Sequence, residues 1–387
     1  MKRQWHIRQY SQAQNSLRDF QSPDGEPAAW APGQPFHRGQ ELDKIILGGV
    51  GSSLSLSPDD QFLAVGVGKN IHVYSTFTRE YVETLTGHLD EVSRVFFAPR
   101  MIGCGLYTLV SSAEGSIVVW ELDMDGKNVS AEENKKQITF DGKFASYGAP
   151  FSPDGQKMIY LTQNSTTQNV MRDAETLPCI NIWDVEAKVI RHRLLGHTDT
   201  IMWVATSPDS TLVASISWDG TAHIWDAMTA PACRSWVHLE DRCGLVAFSP
   251  DSKYIAISQG SPKTVVYVYD IEKAEEISHF EGCEHWARSL DWSPDGKLLA
   301  VGASDSSKLG WRLKFDNRLL RIFAEIHEVK GFTEVYDFTT NTKQQFARGP
   351  GCQLERGSTS KPICTANSSL LVVSDADGAV RFWRFCE

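Results

Sequence analysis

The feature that most limits how this chain can fold is a pentapeptide that returns along its length. It reads LSPDD at 56–60, FSPDG at 151–155, TSPDS at 206–210, FSPDS at 248–252 and WSPDG at 292–296. Degenerate copies stand at 97–101 (FAPRM) and 365–369 (TANSS). The aligned third positions are 58, 99, 153, 208, 250, 294 and 366, so three intervals are 41, 42 and 44 residues and the others are longer. A period of roughly 40–45 residues is that of a unit of four short strands, and a longer interval is that unit plus an insertion.

Each copy has a local task. Pro fixes φ, and Asp followed by Gly or Ser makes a tight turn, so one strand hairpins into the next. Short apolar runs follow at 62–67, 212–216, 254–257 and 298–301. They read as strands buried on both faces. A second turn comes next, at Asp219-Gly220, Glu114-Gly115 and Asp377-Gly378. Six residues after each acid stands Trp225, Trp120 or Trp383, and Tyr74, Trp183, Tyr269 and Tyr336 take the aligned place elsewhere.

With IWD at 182–184 and 224–226, and GH at 87–88 and 196–197, these motifs resemble the WD-repeat family over about residues 41–387. The resemblance implies an all-β fold: a seven-bladed β-propeller of four-stranded antiparallel blades. The blades fall at about 52–86, 88–140, 143–195, 197–240, 242–282, 285–348 and 358–387, and no eighth turn signal is visible. The last blade runs out of chain after its third strand at Arg384–Phe385. An open edge would leave backbone groups unpaired, so residues 41–47 (ELDKIIL) are expected to complete that blade and close the ring. Residues 1–40 are expected to be a partly disordered tail. The resemblance also implies that His197, Ser215, Asp219 and Trp225 form a buried hydrogen-bonded network tying turn to blade. In the second blade His88 and Trp120 are kept, Glu114 replaces the acid, and Val110 falls where Ser is expected.

Composition narrows the function. The 387 residues are 41% hydrophobic and 22% charged, which is ordinary for a globular protein with a sizeable core. A formal net charge of −10 argues against a nucleic-acid partner held through phosphates. The 8 Cys form no CxxC pair, which reads as reduced thiols in a cytoplasmic or nuclear protein. No apolar run is long enough for a membrane span. Residues 1–18 carry Lys2, Arg3, Arg8 and Arg18 without an acid, and lack the apolar core of a secretory signal.

The insertions at 122–137 and 162–179 are polar and read as loops. The one at 304–331 differs. Phe315, Leu319, Ile322, Phe323, Ile326 and Val329 recur at helical spacing, which predicts a short amphipathic helix; the run LLRIFAEI also fits a strand extending the blade.

Catalytic patterns are missing. There is no GxSxG, no HExxH and no GxxxxGK[ST]; His192 and His197 fall in a strand and a GH motif. The expectation is no catalysis, no cofactor and no metal. The family resemblance implies an interaction scaffold or adaptor that binds a peptide or domain on one face of the ring, as a subunit of a larger complex. An enzyme or small-molecule binder using the central channel is the alternative. Substrate receptors of cullin ligases, which carry W-D-x-R, are disfavoured, since Asp184 and Asp226 are followed by Val185-Glu186 and Ala227-Met228. The candidate partner-binding residues are Trp218, Trp286, Arg288, Arg242, Glu91 and Met202, because Trp and Arg bury much area and also hydrogen-bond.

Overall fold

The computed structural model describes residues 5–10, 29–30, 40–102, 105–129, 138–145, 149–162, 177–227, 233–238, 243–259, 264–283, 287–292, 296, 299–303, 311–315, 318–322, 332–337, 342–347, 363–364, 370–374 and 378–384. The fold is all-β, with repeated four-stranded sheets. The chain divides into two compact units, one of residues 1–141 with 326–387 and one of residues 142–325.

In the first unit, one sheet runs Gly51–Leu56, Phe62–Val67, Asn70–Ser75, Tyr81–Thr86 in chain order. The next runs Arg94–Phe97, Tyr107–Ala113, Ser116–Leu122, Ile138–Asp141. A third consists of Ile363–Cys364, Leu370–Ser374 and Ala379–Arg384, with Gln40–Ile46 as its fourth strand. That strand lies antiparallel to Ala379–Arg384, with Lys44 opposite Arg381 and Ile45 opposite Val380. The Leu47 N–H then donates to the Gly378 carbonyl at 2.7 Å. A fourth sheet holds the hairpin Phe332–Asp337 and Thr342–Ala347 between two strands from the start of the chain. Trp5–Tyr10 pairs antiparallel with the first, and Ala29–Trp30 pairs parallel with the second. Parts of the expected N-terminal tail are therefore paired strand.

In the second unit, Ile201–Thr206, Leu212–Ser217, Thr221–Asp226 and Cys233–His238 make one sheet. Cys243–Phe248, Tyr254–Gln259, Thr264–Asp270 and Glu275–Cys283 make another. Lys157–Thr162, Cys179–Asp184 and Val189–Leu195 form three strands, with isolated bridges Lys143–Leu161 and Phe151–Met158 beside them. Ala287–Trp292 pairs with Leu299–Ala303. Trp311–Phe315 pairs with Arg318–Ile322, with Leu313 opposite Leu320. At 311–315 and 318–322 strands stand in place of the predicted helix, and the strand alternative for LLRIFAEI fits 319–322; the rest of 304–331 lies outside the described residues. WRLKF alternates apolar and charged residues at period two, and Asp316-Asn317 between the strands is a turn-forming pair.

The core lies between neighbouring sheets. Phe62, Ala64, Ile71 and Val73 pack against Val95, Leu109, Val118 and Trp120. Ile45, Leu47, Val380 and Phe382 meet Leu54, Leu63, Val65 and Tyr74. In the second unit, Ile159, Ile180 and Ile182 pack on Val204, Val213 and Trp225, and Ala214, Ile216 and Ile224 on Val246, Ile255 and Ile257. Each fully buried Leu or Ile contributes about 1.5–3 kcal/mol relative to exposure.

The pentapeptide turns share one hydrogen-bond scheme. Ser57, Ser152, Ser207 and Ser249 each donate Oγ–H to the Asp two residues on, at 2.7, 2.5, 2.5 and 2.6 Å. The same Oγ accepts the N–H of the residue opening the next strand, Phe62, Lys157, Leu212 or Tyr254. Burial pushes the Asp59, Asp209 and Asp251 carboxyls up, but these hydrogen bonds outweigh it and hold them below the usual range. The residue after each Asp is left-handed, with φ 60° at Asp60, 67° at Gly155, 62° at Ser210 and 60° at Ser252. The turns also bond one another. Ser210 Oγ accepts from the Asp154 N–H at 3.1 Å, Ser252 Oγ accepts from the Asp209 N–H at 3.2 Å, and Tyr107 donates its hydroxyl to Asp59 at 2.7 Å. A non-Gly residue at positive φ is thus retained where its side chain reaches the preceding repeat. Ser210→Ala keeps the strained backbone and loses that bond, so a loss of about 1 kcal/mol is expected in chemical denaturation. Ser210→Gly relieves the strain and is expected to cost less.

Candidate functional site

The turn at Ser217–Thr221 is tied into a buried hydrogen-bonded network. His197 Nε2 lies 2.8 Å from Ser215 Oγ, and the Trp225 indole N–H donates to the same oxygen at 2.8 Å. A carboxylate only accepts, so the imidazole hydrogen lies on Nδ1 toward Asp219, and Nε2 of the neutral ring accepts from the Ser215 hydroxyl. His197 Nδ1–H then faces Asp219 Oδ2 at 3.0 Å. Asp219 also accepts from the Thr198 N–H at 2.8 Å and from the Thr221 hydroxyl at 2.6 Å. Burial pushes the Asp219 carboxyl up, but the hydrogen bonds from His197, Thr221 and Thr198 overcome this and hold it far below the usual range. His197 stacks on His223, ring centroids 4.2 Å apart. A Cβ at Gly196 would stand 3.0 Å from His223 Cε1 and 3.1 Å from the Trp225 ring. The Gly of this GH pair is needed for that close approach.

The second repeat builds the same network one residue out of the expected register. Val110 is a core residue, and the serine is Ser111: its Oγ lies 2.6 Å from His88 Nε2 and accepts from the Trp120 indole at 2.8 Å. The turn is shorter here. Ala113 pairs with Ser116, leaving only Glu114-Gly115 between them, whereas Ile216 pairs with Ala222 across five residues. Counting back from the indole gives nine residues instead of ten, a difference that turn length alone produces. His88 Nδ1 faces Ser116 Oγ at 3.4 Å, and Glu114 is exposed on the turn. With burial as the cause and a serine where His197 has a carboxylate, the His88 imidazole is held below its usual range.

Among the described candidates, Trp218 lies in the turn, Met202 and Arg288 near the start of their sheets' first strands, and Glu91 in the loop before Arg94–Phe97. Trp218 sits in the Ser217–Thr221 turn, 40% exposed, and its N–H donates to the Thr200 carbonyl at 3.0 Å. Met202 is the extra residue of a β-bulge, since Ile201 pairs with Ser217 and Trp203 with Ile216. The same irregularity occurs at Ser52, Gly244 and Arg288. Met202 and Arg288 thus occupy equivalent positions, and bulges re-aim a side chain at the ends of sheets. At Ser52 the side chain donates to the Val92 carbonyl of the next repeat at 2.5 Å. Glu91 is exposed in the loop before Arg94–Phe97, beside Leu89, whose carbonyl accepts from Lys69 Nζ. Leu89 is 83% exposed and was not among the sequence candidates; its place directly after GH is the signal that could have found it. Trp286 and Arg242 lie outside the described residues. Trp120, Trp183, Trp225 and Trp383 are buried in the core. Among the described residues, no three His, Cys, Asp or Glu side chains are grouped to hold a metal ion, and no helix is long and apolar enough to cross a membrane.

Hairpin repeats with GH and Trp-Asp anchored turns define a repeat protein of β-sheet modules. The family model for the WD domain, G-beta repeat, matches residues 188–226 and 274–307. The chain is 22% identical over 329 residues to nuclear distribution protein PAC1 of Arthroderma benhamiae, covering 78% of this chain and 66% of that protein. It is 27% identical over 141 residues to small ribosomal subunit protein RACK1 of Neurospora crassa, covering 34% of this chain and 43% of that one. It is 26% identical over 260 residues to WD repeat and HMG-box DNA-binding protein 1 of Xenopus laevis, of which it spans 22%. Two stretches of this chain therefore match the WD repeat, and the chain is similar to WD-repeat proteins.

Two outcomes follow from the networks. Ser111→Ala leaves His88 Nε2 and the Trp120 N–H without their shared oxygen, so an unfolding free-energy loss of about 2 kcal/mol or more is expected, larger than for Ser112→Ala. Because His88 is harder to protonate folded than unfolded, stability is level above about pH 6.5 and falls as the pH drops below it. Denaturation curves at about pH 7.5 and about pH 5.5 are expected to show a smaller gap for His88→Gln than for wild type.

Proposed function

We propose that this chain is a non-catalytic adaptor that captures a peptide or domain of a partner protein within a multiprotein assembly. In this reading its repeats close into a seven-bladed propeller, with Gln40–Ile46 as the outer strand of the last blade. The partner lies across the turn ends that carry Trp218, Met202, Arg288, Trp286, Arg242 and Glu91. The single observation that carries the reading is Trp218. Its backbone is fixed to Thr200, its neighbour Asp219 is held by hydrogen bonds from His197, Thr198 and Thr221, and yet the residue is 40% exposed. A large aromatic presented to water on a rigid turn costs little entropy to bury, which is what an interface anchor requires.

The relatives support the same class of function. They include a nuclear distribution protein and a small ribosomal subunit protein, names that fit work inside assemblies in the cytoplasm or nucleus. The net charge of −10 favours a protein partner over a phosphate backbone.

The test is a pulldown from native extract with wild type, Trp218→Ala and the Trp218→Ala, Arg288→Ala pair, followed by affinity measurement on the recovered partner. Trp218→Ala is expected to weaken binding by roughly thirtyfold, as a hot-spot loss of about 2 kcal/mol does, with the melting temperature nearly unchanged. A large fall in melting temperature, or unaltered capture, sinks the proposal for this residue.

A further inference from the structure

We propose that the chain associates with a second copy of itself through two oppositely charged sheet edges, Val189–Leu195 of one copy lying against Glu275–Cys283 of the other. The inference is independent of the partner-capture reading, which uses the turn ends.

Both strands belong to the unit of residues 142–325, and each is the last strand of its sheet. Their backbone plan is the same. Each follows a turn residue at positive φ, Lys188 at 55° and Ala274 at 58°. Each carries one extra residue: Arg191 between the pairs Ile190–Trp183 and His192–Ile182, and Ile277 between Glu276–Tyr269 and Ser278–Val268. What differs is charge. VIRHRLL holds Arg191, His192 and Arg193 and no acid, and Lys188 stands just before it. The other strand opens on Glu275 and Glu276. In a chain of net charge −10, the positive edge is the unusual one.

Both edges face water. Val189, Ile190, Arg191, Arg193 and Leu195 are exposed on the first strand, and Glu275, Glu276 and Ile277 on the second. Within the chain, Arg191 donates Nε–H to Asp184 at 3.0 Å, and Glu276 lies 2.7 Å from His279 Nδ1. Arg193 and Glu275 carry the complementarity that remains. Charge along an edge ordinarily keeps strands of different molecules apart. Two edges of one sign repel, so neither strand pairs with its own counterpart in a second copy. Opposite signs reverse the argument and select a single combination. Laid antiparallel, the Arg193 end of one strand meets the Glu275 end of the other. Main-chain hydrogen bonds between the edges then supply affinity, and the charges supply choice. The exposed Val189, Ile190 and Ile277 side chains leave water in the same step.

Sedimentation velocity on the full chain tests this, at low salt and in about 1 M salt, where charges are screened beyond about 3 Å. Wild type is expected to gain mass with concentration up to about 100 μM at low salt and to dissociate in high salt. Arg191→Glu with Arg193→Glu reverses the first edge, and Glu275→Lys with Glu276→Lys reverses the second. Each pair is expected to weaken self-association about tenfold or more with the melting temperature nearly unchanged. An equimolar mixture of the two variants restores opposite signs and is expected to restore association. The lysine variant is the sharper probe, since it brings the net charge nearer zero and general repulsion would predict tighter association. Wild type that stays monomeric throughout, a lysine variant that associates as well as wild type, or a mixture no heavier than its parts overturns the proposal. Should the arginine pair lower the melting temperature, because Asp184 loses its partner, Arg193→Glu alone takes its place in the same mixture.

Discussion

A strand edge is a row of donors and acceptors that must find partners, and this constraint organises the whole chain. Hairpin repeats satisfy it internally for the inner strands of each four-stranded sheet, such as Phe62–Val67 and Asn70–Ser75. The unit 358–387 cannot, because it has only three strands of its own, and Gln40–Ile46 supplies the fourth through pairs such as Ile45 with Val380. Apolar side chains gain from the arrangement, since Ile45 and Leu47 then join Leu63, Val65 and Phe382 in one cluster. The same demand draws Trp5–Tyr10 onto Phe332–Asp337.

Within that frame, serine is the recurrent economiser of polar groups. In the pentapeptide turns a single Oγ both donates to Asp and accepts from the backbone that opens the next strand. In the networks beside the second turns a single Oγ joins an imidazole and an indole, as at Ser215 and Ser111. The carboxylate is the variable part. Asp219 gives His197 a charged partner, while His88 has Ser116 in that place. Two networks of the same outline therefore respond differently to acid. Around Trp218 the turn is fixed in the same way: the Trp218 N–H donates to the Thr200 carbonyl, the Ser217 hydroxyl to the Asp199 carbonyl, and the Thr221 hydroxyl to Asp219.

Much of this was legible in the sequence because it is local. Ser-Pro-Asp followed by Gly or Ser encodes a turn through φ and short-range hydrogen bonds, whatever surrounds it. Aromatic residues six positions past the turn acid mark the third strand, and Trp120, Trp183, Trp225 and Trp383 are indeed in the core. The misreadings were of register and partner. Val110 was taken for the network position because turn length was assumed constant, and the Glu114-Gly115 turn is shorter. Of the two readings offered for LLRIFAEI, strand is the one found at 319–322, where Leu320 pairs with Leu313.

The sequence by itself determined where the chain turns, which strands are buried on both faces, and which His, Ser and Trp stand close enough along the chain to meet. These depend on steric and hydrogen-bonding preferences spanning a few residues. Only the tertiary structure decided which distant strand fills each open edge and that Ser210 reaches back to Asp154. It also decided that His223 stacks on His197. Pairing across hundreds of residues is chosen by which edges remain unsatisfied once the local hairpins have formed, and no short stretch of sequence records that.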